Sequence, residues 1–422
     1  MNKTFSQQGG TNCKPVNRWK LKILMLCWEY PPNIVGGLSR HVAGLSAELA
    51  ALGHEVHVIT AGTNKLSEYE TTNGVHVHRV QPINNRDEQF FNWIAGLNLA
   101  MAFKAERLAK EIPFDFIHAH DWLVGAAAIT LNETLGIPLL TTIHATEHGR
   151  NNGIHNQMQQ FVHEKEQQLI AKSDHIVVCS EYMKDDLLTI FNANEAQISV
   201  IPNGVEPLTP AQPAMETFPE FHQKKYIFSL GRIVKEKGFE TLIKAAEICK
   251  VDGLDYLFVV AGKGPMLETY RQQISAKQLE SHIKFIGYIS DEQRNTLIQE
   301  SVLAVIPSLY EPFGIVALET MVFGKPTIVS NTGGMKGIVK HLQTGLLTVP
   351  GDARRLLEHI DFLIKNPKKA QEMGEKGRQI VLSLYSWKRI ASETSRVMED
   401  LLLNVRVGKN ENEEQQIIVN KV

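Results

Sequence analysis

The feature that most constrains the fold of this chain is an alternation of short apolar runs with amphipathic helical segments, which occurs twice along the sequence. In the first half, the apolar run over 21–27 precedes apolar residues at helical spacing over 38–52 and the strand-like run EVHVIT over 55–60. Further strand-like runs follow at five places: 75–80, 115–118, 138–143, 175–179 and 198–202. Strand–helix alternation is typical of a parallel, doubly wound sheet, so we predict an α/β domain over 21–205.

A proline-containing segment separates the two halves of the chain. Residues 206–224 have little hydrophobic periodicity, which favours an interdomain linker. After this segment the runs YIFSLG, YLFVVAG, IKFIGY, LAVIPS and PTIVS alternate with helical stretches up to residue 385. We therefore predict two doubly wound, Rossmann-like parallel-sheet domains, the second over 225–385, with the ligand site in the cleft between them.

Composition and chain ends narrow the class of protein. The chain has 422 residues, enough for two domains, and a net charge of −2 with scattered lysines and arginines, which indicates no nucleic-acid partner. Residues 1–20 are polar and predict a disordered tail, and 405–422 predict a frayed polar tail. The apolar run over 21–27 is too short to span a bilayer, and the cysteines lack metal-ligand spacing. We expect a cytoplasmic protein.

The most informative motif is PSLYEPFGIVALETMVFGKP at 307–326. Pro312 suits the first turn of a helix, where backbone N–H groups have no partner and can bind sugar hydroxyls or phosphate. These N–H groups would belong to Phe313, Gly314 and Ile315. Glu311 and Glu319 are eight residues apart, which is roughly 12 Å along a helix. A glycoside hydrolase needs its carboxylates roughly 5–9.5 Å apart, so the two acids are expected to contact different parts of one extended ligand.

The spacing of Glu311 and Glu319, after Pro-Ser and around Pro-Phe-Gly, resembles the E-x7-E signature of family 4 retaining glycosyltransferases. The phrase WEYPPNIVGGLSRHV at 28–42 resembles the glycogen-synthase-like and sucrose-phosphate-synthase-like members. The resemblance covers about residues 21–405. It implies the two-domain architecture called GT-B and transfer of a hexosyl group from a nucleotide sugar to a hydroxyl acceptor, with retention of configuration.

The same resemblance assigns roles to residues of the second domain. Glu311 would lie beside the donor sugar, and Glu319 would hydrogen-bond the ribose of the nucleotide. Arg232 and Lys237, in the loop GRIVKEKG between a strand and a helix, would stabilise charge on the leaving diphosphate. No Asp-x-Asp pair of the kind that holds a metal is present. We therefore expect no metal and no cofactor, only a UDP-, ADP- or GDP-linked sugar as co-substrate.

The remaining donor-side candidates lie in loops. Gly36 and Gly37 precede a helix, so their backbone could approach a phosphate closely at the positive end of the helix dipole. By resemblance, three further residues lie near the nucleotide base: Gly262, Gly264 and Tyr288. The helix predicted over 386–404 resembles the one that crosses back onto the first domain in this family.

Polar clusters at two strand ends of the first domain are assigned to the sugar and the acceptor. By resemblance His144, in TTIHATEHGR after a predicted strand, contacts the donor sugar. Five neighbours in this loop and in HAHDW are acceptor-side candidates: His120, Asp121, Glu147, His148 and Arg150.

The acceptor and two other classes of function stay open at this point. The WEYPP…GGL phrase favours extension of an α-glucan or oligosaccharide. The amphipathic segment 89–112 allows instead a lipid or cell-envelope acceptor reached from a membrane surface, although a core-packed helix is the simpler interpretation. The E-x7-E motif with Pro-Phe-Gly argues against a hydrolysing nucleotide-sugar epimerase. The combination of Glu311, Arg232, Lys237 and His144 argues against a non-enzymatic binding module.

Overall fold

A computed structural model gives the architecture of the chain. It describes five stretches: 19–63, 65–87, 89–205, 218–221 and 224–419. The side chains of 405–419 are outside the description. The predicted tail over 1–20 and the predicted linker over 206–224 therefore lie mostly outside the described residues.

Eight strands form the sheet of the first domain. They are β1 (Lys22–Leu26), β2 (Glu55–Ala61), β3 (Tyr69–Thr72), β4 (Val75–Val80), β5 (Phe116–His120), β6 (Leu139–Ile143), β7 (His175–Val178) and β8 (Ile198–Val200). Their order is β3-β4-β2-β1-β5-β6-β7-β8, and all neighbours are parallel except β3 on β4. The antiparallel β3 is not among the predicted strands, because this short edge strand exposes alternate side chains and lacks an apolar run.

Six helices cover the faces of this sheet. They are α1 (Gly37–Ala51), α2 (Phe90–Ala109), α3 (Gly125–Leu135), α4 (Glu147–Asn151), α5 (Gln157–Lys172) and α6 (Glu181–Ile190). The predicted amphipathic face of α1 is buried at Leu38, Val42, Leu45 and Leu49. In α2, which contains most of the segment 89–112, Leu97 and Met101 are fully buried in the core of the domain.

The second domain has a six-stranded, fully parallel sheet. Its strands are β9 (Ile227–Leu230), β10 (Phe258–Ala261), β11 (Ile283–Gly287), β12 (Leu303–Ile306), β13 (Thr327–Ser330) and β14 (Leu346–Thr348). The order is β11-β10-β9-β12-β13-β14. The strand order changes direction between β9 and β12: β9, β10 and β11 follow one another toward one edge of the sheet, and β12, β13 and β14 toward the other. The strand order of the first sheet changes direction in the same way between β1 and β5. Ligands of such sheets bind outside the carboxyl ends of strands at this switch point.

Eight further helices complete the second domain and return to the first. They are α7 (Glu240–Asp252), α8 (Leu267–Ala276), α9 (Asp291–Glu300), α10 (Ile315–Met321), α11 (Met335–Ile338), α12 (Ala353–Lys365), α13 (Pro367–Leu384) and α14 (Trp387–Val419). Helix α14 packs Trp387, Ile390 and Met398 into the first-domain cluster that includes β1 and α1. It continues past residue 404, where the sequence places its end, because the following Glu, Gln, Lys and Arg residues are good helix formers.

These elements form two doubly wound parallel-sheet domains, which is the predicted fold class. No described helix has the length and apolarity needed to cross a membrane.

Candidate active site

The residues of the site come from loops that follow the carboxyl ends of strands in both sheets. In the second domain, the loop after β9 carries Lys237 and the loop after β12 carries Glu311. The backbone N–H groups of Leu309 and Tyr310 donate to the carbonyl of Glu236 at 2.8 and 3.1 Å, which holds the two loops together. Residues 74 positions apart thus meet at the switch point of the sheet.

Glu311 and Lys237 form an ion pair at the centre of this junction. The Lys237 Nζ lies 2.6 Å from Glu311 Oε2, and the Ser308 hydroxyl donates to the same oxygen at 3.0 Å. Glu311 is only 7% exposed. The carboxylate is therefore fixed in position, and the ammonium group beside it belongs to a side chain that is 24% exposed and can still meet a ligand.

Glycines allow the loops around Glu311 to pack this closely. Gly238 has a φ of +67°, and a Cβ there would overlap the carbonyl oxygen of Pro307. Gly333 has a φ of +50°, and a Cβ there would overlap the carbonyl oxygen of Glu311. The N–H of Gly334 donates to that same carbonyl at 3.0 Å. The backbone of Glu311 is thus supported from the loop after β13.

Helix α10 begins later than its sequence predicts. Pro312 suits a first turn, yet the helix starts at Ile315 with Gly314 as its N-cap residue. Gly314 has a φ of +113°, which interrupts helical geometry before it. Phe313 points its ring into the core against Tyr385. The first bond of α10 runs from the Ala317 N–H to the Gly314 carbonyl, so the N–H groups of Ile315 and Val316 have no partner within the helix.

Glu319, on α10, belongs to a second charge cluster. Its Oε1 accepts from Arg294 at 3.2 Å and lies 3.8 Å from the guanidinium of Arg40. Arg40 belongs to α1 of the first domain and also pairs with Asp291 at 2.6 Å. Burial acts to raise the pKa of Asp291, but the hydrogen bond from Arg40 and the charge of Arg294 outweigh it and lower that pKa. Arg40 thus joins the two domains next to the predicted ribose site.

The sequence gives no signal for Arg40, Asp291 or Arg294. Arg40 and Asp291 are 251 positions apart, and ion pairs over such separations leave no periodicity to detect. Only the position of Arg40 three residues after Gly37 connects it with a predicted ligand loop.

The Gly36–Gly37 loop is organised by a buried carboxylate. Glu29, 2% exposed, accepts hydrogen bonds from the N–H groups of Val35 and Gly36. Burial raises the pKa of Glu29, although these N–H donors act against the shift. A Cβ on Gly37 would lie 3.2 Å from Ile315 Cδ1, so the loop touches α10 of the other domain. The Gly36 N–H is already bonded, and a phosphate contact by this loop stays a prediction.

His144 follows β6 and is held by its backbone. Asp121 accepts from the His144 N–H at 2.7 Å and is itself buried with a φ of +61°. Burial raises the pKa of Asp121 to about 6, against the charge of Arg150 and the N–H donors. We predict Asp121 as an acceptor-side residue from the sequence, and the structure uses its carboxylate to orient the His144 loop. Burial, together with the charge of Arg150, lowers the pKa of His144 to about 3, so its imidazole is neutral at pH 7.

Helix α4 places the three acceptor-side candidates that follow His144. Glu147, His148 and Arg150 are all partly exposed there, and Arg150 lies 3.8 Å from Glu147. Both carboxylate oxygens of Glu166 accept from the N–H of Glu147, at 2.9 and 3.1 Å. Glu166 is 1% exposed, and burial raises its pKa to about 8. No pattern in the sequence identifies this support for α4, since nothing distinguishes Glu166 from Glu164, the other acidic residue of α5.

Three histidines lie together behind the cleft. The ring nitrogens of His41, His120 and His144 lie within 4.8 Å of one another. His120 Nδ1 and His144 Nε2 are 3.2 Å apart, and His41 Nδ1 bonds Asn203 Oδ1 at 2.6 Å. Among the described residues, the Nε2 atoms of His41 and His120 have no hydrogen-bond partner. Burial lowers the pKa of all three imidazoles, so they are neutral at pH 7.

The other donor-side candidates lie at the edge of the second domain. A Cβ on Gly262 or Gly264 would overlap the backbone of Gly231 or Ile233, so both glycines allow the loop after β10 to pack on the loop after β9. Tyr288 is 71% exposed, with Lys263 Nζ 5.1 Å from its ring centre. Arg232 is exposed on the same side of the domain as Lys237.

Comparison with known proteins places these observations in a family. Residues 35–207 match the model described as Glycosyltransferase Family 4, and residues 212–380 match the model described as Glycosyl transferases group 1. Glycogen synthase of Mycobacterium tuberculosis is 33% identical over 89% of this chain and 94% of that protein.

Solved structures share the fold. Sucrose-phosphate synthase from Thermosynechococcus elongatus superposes with a TM-score of 0.80 at 24% identity, covering 91% of this chain and all of that chain (100%). Alr3699/HepE of Anabaena, solved with UDP-glucose, has a TM-score of 0.73 at 19% identity over 90% of this chain and 100% of that one.

Proposed function

Because this chain belongs to glycosyltransferase family 4, we propose that it transfers a hexosyl group from a nucleoside diphosphate sugar to a hydroxyl of an α-glucan or oligosaccharide. We propose further that transfer retains the anomeric configuration and uses neither a metal ion nor a cofactor. The observation that carries the proposal is the partly buried Lys237–Glu311 pair, 2.6 Å apart at the switch point of the donor-domain sheet.

The charge distribution supports departure of a diphosphate without a metal. Lys237, Arg232 and the N-terminus of α10 supply positive charge where the loops after β9 and β12 meet. Fixed positive groups aimed at a leaving diphosphate stabilise the charge that develops as the glycosidic bond breaks. We expect Glu311 to contact the sugar hydroxyls and to hold Lys237 in place.

The protonation states argue against a protein nucleophile or a protein base. The Glu311 carboxylate already pairs with Lys237 and Ser308, which makes it a poor nucleophile. Burial, with the charge of Arg150, lowers the pKa of His144 to about 3, too low for an efficient base at pH 7. In our proposal the departing phosphate oxygen therefore takes the proton of the acceptor hydroxyl, which attacks from the face that the leaving group vacates.

The acceptor class rests on the relatives. The relative from M. tuberculosis is a glycogen synthase, and the structural neighbour from Anabaena is solved in complex with UDP-glucose. In α2, Leu97 and Met101 pack into the domain core, whereas Leu99 and Phe103 are exposed, so this helix does not decide between the two acceptor classes. On the basis of the relatives we place a glucan acceptor ahead of a lipid or cell-envelope acceptor, and glucose first among candidate sugars.

A donor panel tests the proposal. Purified protein is incubated with UDP-glucose, ADP-glucose, GDP-mannose and UDP-N-acetylglucosamine, with and without glucan, and release of nucleoside diphosphate is measured. We expect release from one donor, increased by glucan, and a loss of roughly 10²-fold or more in Glu311→Ala because sugar contact and the orientation of Lys237 are both removed. Glu358→Ala, on the exposed face of α12, is the matched control. Acceptor-independent release that Glu311→Ala retains would favour a hydrolysing epimerase instead.

Chelation tests independence from metal. We expect the initial rate with the preferred donor to change by less than about twofold when EDTA is added, because side chains and a helix N-terminus supply the positive charge. The assay compares untreated protein, protein with EDTA and protein with EDTA followed by excess Mg²⁺. A rate that EDTA abolishes and Mg²⁺ restores would contradict this part of the proposal.

A further inference from the structure

Tyr310, the residue before Glu311, extends from the second domain into the first. Its side chain is 8% exposed. The hydroxyl lies 3.5 Å from the N–H of Thr146 and 3.9 Å from Met183 Sδ. Its ring lies at a steep angle to that of Tyr182, with centres 6.3 Å apart. A side chain of the donor domain is thus seated in a pocket of the first domain.

Gly149 on α4 forms the wall of that pocket. A Cβ at this position would lie 2.6 Å from both Cε2 and Cζ of Tyr310 and closer still to its hydroxyl. These are the nearest atoms that such a Cβ would meet. The backbone of Gly149 is helical and does not require glycine, so the absence of a side chain there serves the approach of Tyr310.

This contact joins the two loops that carry Glu311 and His144. Gly149 lies in α4, directly after the His144 loop. The carboxylate of Asp121 fixes the His144 loop, and that of Glu166 fixes the start of α4, to the rest of the first domain. On the other side of Glu311, the Ser180 hydroxyl of the first domain donates to the carbonyl of Pro312 at 2.6 Å. Glu311 is therefore flanked on both sides by contacts with the opposite domain.

We propose that Tyr310, seated against Gly149, is a positioning residue that sets the placement of Glu311 relative to His144 and thereby determines the turnover rate. The inference rests on the proposed function. Among the groups predicted to hold the nucleotide, Lys237, Arg232 and Glu319 belong to the second domain. Gly36 and Gly37 belong to the first domain, where Glu29 and not Tyr310 holds their loop. Nucleotide binding therefore does not need the contact between Tyr310 and Gly149. A misplacement of about 1 Å between catalytic groups can cost on the order of 10²-fold in rate.

The test is a double-mutant cycle between Gly149→Ala and Tyr310→Ala. We expect Gly149→Ala to lower kcat by about tenfold or more, because the new methyl group prevents Tyr310 from seating. In the Tyr310→Ala background the same change should cost less than about twofold, since the conflicting ring is gone. The dissociation constant of the nucleoside diphosphate should change by less than about twofold throughout. Gly337→Ala, on α11 with no atom within 4 Å of the added Cβ, is the matched control.

Tyr310→Phe provides a second background in case Tyr310→Ala folds poorly. It keeps the ring, so it should retain most turnover and remain sensitive to Gly149→Ala. If Gly149→Ala lowers kcat by the same factor in all three backgrounds, or lowers it in none, the inference is overturned. A parallel loss of nucleotide affinity would also overturn it.

Small-angle scattering separates failure of this inference from failure of the proposed function. If no donor is turned over by the parent protein, the proposed function fails. The radius of gyration should still be larger in Gly149→Ala than in the parent, because an unseated Tyr310 opens the cleft, and the excess should vanish when Tyr310→Ala is added. An unchanged radius in Gly149→Ala would count against the seating of Tyr310 itself.

Discussion

Replacing Lys237 with alanine is expected to lower kcat for sugar transfer by on the order of 10²–10³-fold, the range found when one preorganised group that stabilises transition-state charge is removed. Lys237 lies 2.6 Å from the Glu311 carboxylate in a junction built by the loops after β9 and β12. In the proposed reaction it also faces the leaving diphosphate. The substitution therefore removes charge from the transition state and leaves Glu311 buried without its cation.

The measurement is the steady-state rate with the donor that the panel identifies. Lys235→Ala is the matched control, since Lys235 is exposed on the same helical turn and its removal should change the rate by less than about twofold. Thermal unfolding of each variant separates a lost charge from a lost fold. If Lys237→Ala transfers sugar at the parental rate, the diphosphate is held by other groups and the proposed mechanism is wrong.

Lowering the pH from 6.5 to 4.5 is expected to destabilise the first domain by on the order of 5 kcal/mol, a large part of the stability of a typical domain. Burial lowers the pKa of eight histidines of this domain: His41, His57, His78, His118, His120, His144, His163 and His175. For His78 and His144 the pKa falls to about 4 and about 3. Each such histidine is neutral in the folded state at pH values where the unfolded chain is already protonated.

The sign follows from proton binding in the two states. Below about pH 6.5 the unfolded state binds more protons at these histidines, so stability falls as pH falls, by up to about 1.4 kcal/mol per pH unit for each. Buried carboxyls act in the opposite direction, because burial raises the pKa of Glu166 to about 8, those of Asp121 and Asp186 to about 6, and that of Glu29 as well. Eight histidines outnumber these four acids, so the net change on acidification is a loss of stability.

Urea titrations at pH 7.5, 6.5, 5.5 and 4.5 measure this dependence. His118→Gln provides a comparison, because His118 is fully buried beside Thr142 and the variant removes one titrating group. The variant should lose less stability on acidification than the parent, by up to about 1.4 kcal/mol per pH unit. A free energy of unfolding that stays constant or rises from pH 6.5 to 4.5 would show that these histidines are protonated in the folded protein.

The sequence by itself determined the architecture and the main motifs. Runs of apolar residues and helical periodicity are local properties, so the alternating strands and helices of both sheets could be predicted without tertiary information. The motif around Glu311 is also local, and its resemblance to family 4 glycosyltransferases is confirmed by the family models and relatives. The predicted start of α10 at Pro312 was wrong, because the backbone torsion of Gly314, with φ of +113°, interrupts helical geometry and the helix begins at Ile315.

Only the tertiary structure decided which polar groups meet. Asp121 is predicted to lie on the acceptor side, and only the fold shows that its carboxylate accepts from the His144 N–H. The pairs Lys237–Glu311, Arg40–Glu319 and Tyr310–Gly149 join residues from distant parts of the chain. Such pairs depend on how the two sheets and the two domains pack against each other, and the spacing of residues along the sequence does not determine that packing. A repeating sequence pattern indicates which face of a helix or strand is buried. No such pattern indicates which residue contacts a single buried charge or aromatic ring.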